Sequence, residues 1–252
     1  MDILNSISDE QFFVGIPIEI PNTCFIYSPT LRQIAEIGAK NFYSYLNLLT
    51  LDKEDVDEFF KEQGVENVDI TPFRFTLLNA HQDSEFLNDL KDAFKLFLHE
   101  EEIYVLMENE AIILGDLKDN RIINSEKFDT ICSIIRRANS VDKASSEERM
   151  DNPSNSKAAE IIRKIKEGKK VREKNKSSDL SFLDLVASLA AKGNGLNALN
   201  VWDLTYYAFN DQFKRMQAIE DYEQSLHALQ QGADPKKVKL DYWVKNIQEK
   251  KK

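Results

Sequence analysis

The chain has 252 residues, 42% of them apolar and 30% charged, with a net charge of −10, which is enough apolar material for one large domain or two modest ones. The acid excess argues against wholesale nucleic-acid binding, because phosphate contacts need a basic face. No uninterrupted run of about 18 apolar residues is present to span a membrane, and Cys24 and Cys132 are too isolated for a disulfide framework or a zinc site.

The opening stretch "MDILNSISDEQFF" lacks the basic start and continuous apolar run of a signal peptide, so the protein is expected to stay where it is made, in a reducing cytoplasm. "IPIEIPNTCFIYSP" offers two short extended pieces, Ile16 to Ile20 and Cys24 to Tyr27, parted by Pro21-Asn22-Thr23, which predicts a small hairpin at a sheet edge. Thr30 can cap a helix whose apolar positions Leu31, Ile34, Ala35, Gly38, Phe42, Tyr45, Leu46 and Leu49 recur at the helical period. "DKEDVDEFFKEQG" reads as a short helix with acids in its first turn and Gly64 as its stop. Thr71-Pro72 marks a further helix start. "SEFLNDLKDAFKLFLHEE" places Phe86, Leu87, Leu90, Phe94, Phe97 and Leu98 on one side. A hairpin is predicted from Ile103 to Met107 and Ala111 to Leu114 around a polar turn at Asn109, followed by a helix capped by Asn124 or Ser125 that runs to about Arg137.

From Ser140 to Ser156 almost no large apolar side chain occurs, which predicts an exposed linker. Lys157 to Lys176 then holds nine Lys and Arg against three Glu, with Ile161, Ile162 and Ile165 as a weak amphipathic stripe. Three readings are open for this stretch: a self-repelling tether, a dock for an acidic helix, or a nucleic-acid contact, the last disfavoured because no aromatic side chains interleave the lysines. A helix is predicted from Ser178 or Asp179 to a halt at Gly193.

The last long helix is expected to start at Asn200, with Asn200 and Asp203 as a variant capping box. Trp202, Tyr206, Phe209, Phe213 and Met216 step by four, three, four and three residues, and Leu204 and Tyr207 lie on a second face. The phase then slips to Ile219, Tyr222, Leu226 and Leu229, which is too irregular for a sustained coiled coil. Gly232 and Pro235 end the helix, and Leu240, Tyr242, Trp243 and Ile247 can fold back on it. Such an aromatic stripe can be domain core or binding face, and the two are not exclusive in a small terminal segment.

No catalytic signature accompanies these elements. His81, His99 and His227 are far apart and none has a second ligand at metal spacing. Gly193-Asn194-Gly195 lacks the strand and third glycine of a dinucleotide loop. No nucleophile elbow, zinc-protease motif or phosphate loop occurs. The expectation is therefore a non-enzymatic protein with no cofactor and no metal.

The run from Trp202-Asp203-Leu204-Thr205 through Tyr207, Phe209, Asp211, Phe213 and Arg215 to Gly232-Ala233-Asp234 and Trp243 resembles C-terminal segments encoded in the tail-gene modules of long-tailed bacteriophages. "IPNTCFIYSPTLRQIAEIGAKNFYSYLNLL" is similar to the start of such proteins. The group resembled is that of the tail assembly chaperones. This resemblance implies a largely helical protein of the host cell cytoplasm, absent from the finished virion, that binds the tape measure protein and delivers tail tube subunits to it.

The combined expectation is an α+β, predominantly α-helical chain in three parts. Residues 1–140 form a helical domain with small β-hairpins, 141–177 a flexible basic connector, and 178–252 a C-terminal helical interaction domain. Partner binding is assigned to Trp202, Leu204, Tyr206, Tyr207, Phe209, Phe213 and Met216, with self-association also open. The rival readings are a neck, tail or baseplate component of the virion, a nucleic-acid-binding regulator acting through Lys157 to Lys176, and an enzyme with an unrecognised site.

Overall fold

Helix caps and left-handed turns set most of the element boundaries in the computed structural model, which describes residues 3–62, 64–65, 69–141 and 181–244. The expected connector from residue 142 on, the basic stretch Lys157 to Lys176, the helix start at Ser178 or Asp179, and Ile247 lie outside these residues. The fold is α+β and predominantly helical, with ten α-helices and two small antiparallel sheets among the described residues.

Two short helices, α1 (Ile3–Ser6) and α2 (Asp9–Val14), open the chain where no element is expected. Ser8 and Gln11 form a reciprocal capping box for α2, and Gly15 closes it in the left-handed region at φ 78°. Strands β1 (Ile18–Ile20) and β2 (Cys24–Ile26) pair antiparallel with Ile20 opposite Cys24. Their alternation buries Ile18, Ile20, Cys24 and Ile26 and leaves Glu19 and Phe25 outward.

The single helix expected after Thr30 is two helices, α3 (Leu31–Ile37) and α4 (Ala39–Leu48). Gly38 takes φ 85°, ψ 136°, a conformation essentially closed to residues with a Cβ, and this bends the chain between them. Periodicity missed the break because the apolar positions on both sides of it face one core. Thr30 caps α3, accepting the Gln33 N–H at 3.3 Å, while the Gln33 side chain accepts the Thr30 N–H at 2.9 Å.

Helix α5 (Lys53–Glu62) ends at Gly64 (φ 75°), and α6 (Pro72–Gln82) starts at the Thr71 cap as predicted. Asp83 then caps α7 (Ser84–Leu98). A three-stranded sheet has the order β3 (Ile103–Leu106), β4 (Ala111–Leu114), β5 (Ile122–Ile123). The third strand was not expected, since two residues are too short for a period to register. Asn124 caps α8 (Ser125–Ala138).

The remaining helices are α9 (Phe182–Lys192), capped by Ser181, and α10 (Tyr206–Gln230). One apolar cluster runs through the molecule: Phe12, Leu31, Phe42, Phe94, Phe97 and Ile135 share it with Phe182, Val186, Leu189, Val201, Tyr206, Tyr207 and Phe209. The segment beginning at residue 181 is thus seated on the body formed by residues 3–141, and its apolar side chains complete the body's core.

Candidate functional site

The stretch singled out by the sequence is built from its backbone upward. Val201–Asp203 form a 3-10 turn, after which Leu204 and Thr205 are extended at ψ 140° and 157°. Asn200 and Asp203 therefore do not cap the long helix; Thr205 does, accepting the Ala208 N–H at 3.0 Å. Tertiary contact decides this boundary, because the extended residues pair with the body. The Leu31 N–H donates to the Leu204 carbonyl and the Tyr206 N–H to the Pro29 carbonyl, both at 2.9 Å, which makes an antiparallel bridge between Thr30 and Thr205.

Thr205 is the centre of this seat. Its hydroxyl proton is shared between the carbonyls of Phe12 at 3.0 Å and Phe13 at 3.2 Å, while its oxygen serves as the cap of α10. A Cβ on Gly15 would stand 3.0 Å from the Thr205 methyl group, so glycine there gives the threonine its room as well as ending α2. Asp203 adds an exposed ion pair with Arg32 at 2.9 Å.

The side chains follow from this anchoring. Tyr206 lies edge-on to Phe42 with ring centroids 4.9 Å apart, and its hydroxyl is 3.4 Å from that of Tyr43. Tyr207 points the other way, its ring 5.7 Å from that of Phe12 and its hydroxyl near the Asp9 carboxylate. Burial, reinforced by the Asp9 carboxylate, pushes the Tyr207 hydroxyl well above the usual phenol range. Asp9 is held in turn by Arg137, whose Nη2 donates to it at 2.7 Å. Phe209 packs between Tyr206 and Phe182, with centroids about 6 Å from each.

Of the seven residues assigned to partner binding, Tyr206, Tyr207 and Phe209 are therefore buried in the chain's own core, with exposures of 9, 4 and 3%. Phe213 and Met216 are half-buried at the edge of that core. Trp202 and Leu204 are half-buried and precede the helix; the Trp202 indole donates to the Ala198 carbonyl at 3.1 Å, and with Arg32, Ala35 and Glu36 the ring lines a shallow open depression. The expected single stripe is thus divided between a 3-10 turn, a buried helix start and a rim.

Beyond Asp211 no residue of α10 is buried. Asp211 itself is buried and takes a two-pronged pair from Arg215 at 2.7 and 3.2 Å, which closes the anchored part. Lys192 at the end of α9 pairs with Glu220, and on this part of the helix Ile219, Tyr222, Leu226 and Leu229 are only half-buried. The returning chain lies along this distal half, with the Tyr242 ring edge-on to Tyr222 at 5.6 Å and the Ser225 hydroxyl donating to the Lys239 carbonyl at 3.3 Å. Leu240, Tyr242 and Val244 are exposed there, Tyr242 to 60%.

Sequence reasoning missed the receiving side: Asp9, Phe12, Pro29, Thr30 and Arg137. The Ser8–Gln11 box before Phe12 was a readable signal for α2, but nothing in the sequence pairs Thr30 with Thr205. Among the described residues no group of three or more His, Cys, Asp or Glu could hold a metal ion, and no helix is long and apolar enough to cross a membrane.

Residues 173–248 match the family model described as YomV second domain. That family is phage-derived, and the match hints at a phage protein. It covers α9, the docked stretch and α10, under a third of the chain. Comparison with curated proteins and with solved structures returned no match.

Proposed function

We propose that the chain is a non-enzymatic tail assembly chaperone of a long-tailed bacteriophage, which holds the tape measure protein, with tail tube subunits as a further client, in the host cytoplasm. The phage-derived match over residues 173–248 supports the setting. The observation that carries the mechanism is the burial gradient along α10: its first six residues are bolted to the body, and its remainder is an arm without core burial. An amphipathic helix of a client can share the half-covered side chains of such an arm, and preferential binding keeps the client from aggregating until assembly displaces it.

In this reading Tyr206, Tyr207 and Phe209 position the arm. Phe213, Met216, Tyr222, Leu226 and the exposed Leu240 and Tyr242 touch the client, and Trp202 and Leu204 flank the base of the arm. The test is capture from infected cells by the tagged full chain and by a variant carrying Tyr222→Ser, Leu226→Ser and Tyr242→Ser. The wild-type chain is expected to retain the tape measure protein and the variant, still folded, to lose it. Equal capture by both removes the arm from the mechanism, and recovery of the chain in purified particles at the copy number of a structural subunit overturns the chaperone reading itself.

A further inference from the structure

The contact between Val201–Phe209 and the body has the anatomy of an interface between two polypeptides. A short extended segment adds to the body by a backbone bridge, Thr30 to Thr205, as peptides add to sheet edges. Three aromatic side chains, Tyr206, Tyr207 and Phe209, fill its buried centre, the residue class that dominates interface energetics. An exposed ion pair, Arg32 to Asp203, sits at the rim. Between the body's last described residue, Val141, and the start of this element, Ser181, the sequence runs through residues 142–180, and none of the contacts above draws on them.

We propose that this contact is a separable docking interface, and that the body can accept the Val201–Phe209 element of a second copy of the chain in place of its own. Covalent connection within one chain makes docking of its own element intramolecular, so cis docking prevails in the intact protein at micromolar concentration. Exchange between copies is domain swapping at a pre-existing seat and needs no new surface. The inference is independent of which client the arm holds.

The experiment starts from the full chain with a protease site placed within residues 142–180, cleaved after folding. The two pieces are expected to co-elute at about 1 μM, as hot-spot interfaces of this kind do, with the helical signal of the uncut protein. Mixing with an excess of a cleaved copy that carries a dye on its α10 piece should transfer the dye to unlabelled bodies. Thr205→Val should speed this transfer by roughly tenfold or more, because it removes a hydroxyl with three partners. If that variant fails to fold, Asp203→Ala, which removes only the exposed ion pair, should speed transfer by about two- to threefold. Separation of the pieces at that concentration, loss of the body's helical signal on cleavage, or no transfer of dye each overturns the proposal.

Discussion

The two halves of α10 belong to one continuous helix yet answer to different physics. From Tyr206 to Asp211 the helix is held by backbone pairing at its cap, by rings on two opposite sides, Phe42 and Phe12, and by a buried carboxylate with its own arginine. From Gln212 to Gln230 only Phe213 and Met216 rest at the edge of the core, and the described contacts beyond them are with the end of α9 and the returning chain, through Lys192–Glu220, Tyr222–Tyr242 and Ser225–Lys239. A helix with apolar residues on both sides of its start must be enclosed, whereas one whose phase slips midway can be enclosed only in part. The stability of α10 is therefore concentrated in its first turns, and its capacity for new contacts in the rest.

That contrast fails first if the anchored rings prove dispensable. Phe209→Ala is expected to cost about 3–5 kcal/mol in urea unfolding, because a large buried ring leaves a cavity. Tyr222→Ala in the distal half should stay within about 1 kcal/mol; comparable losses at the two positions would mean that both halves are core. Next in size is Thr205→Val, which removes a cap and a shared donor and should cost about 1–3 kcal/mol. Gly38→Ala is expected to cost on the order of 1–3 kcal/mol by forcing a Cβ into the positive-φ region, and it should weaken the anchored half specifically, since Gly38 orients α4 and with it Phe42 and Tyr43.

The cysteines report on the body alone, because the residues from 181 onward contain none. Burial pushes the Cys24 thiol up to about 12, and Cys132 is likewise pushed upward by burial. A thiol pKa raised by folding contributes stability that is fully present below the ordinary thiol value of 9.0 and is lost as pH rises from there toward about 12. Cys24→Ala should therefore flatten the alkaline loss of stability measured by denaturant titration between those values. Both thiols should resist alkylation at pH 8 until denaturant is added. The smallest effect is expected at Arg32→Ala, whose exposed ion pair is worth a few tenths of a kcal/mol in thermal unfolding.

Much of the fold was legible because its boundaries are written locally. Thr30, Thr71 and Asn124 each cap the helix that follows them, and Gly64 ends α5. Legibility failed where distant residues decide. Asn200 and Asp203 had cap chemistry at cap spacing, but the chain reserves the cap for Thr205 so that Leu204 and Thr205 can stay extended against Leu31 and Thr30. The aromatic spacing correctly marked a crowded stretch; which rings face inward depends on Phe12 and Phe42, more than 160 residues away. Two-residue β5 and the Gly38 bend were hidden for a simpler reason, since neither alters the apolar period around it.

Asp9 joins two events in the path of the chain. Arg137, which grips it, also donates to the Leu4 carbonyl at 3.3 Å and stands in the last turn of α8; Tyr207, whose hydroxyl lies near the same carboxylate, stands in the first turn of α10. The end of α8 and the start of α10 thus meet at one side chain. A charge change at Asp9 would therefore be felt in both helices at once, although they lie far apart in sequence.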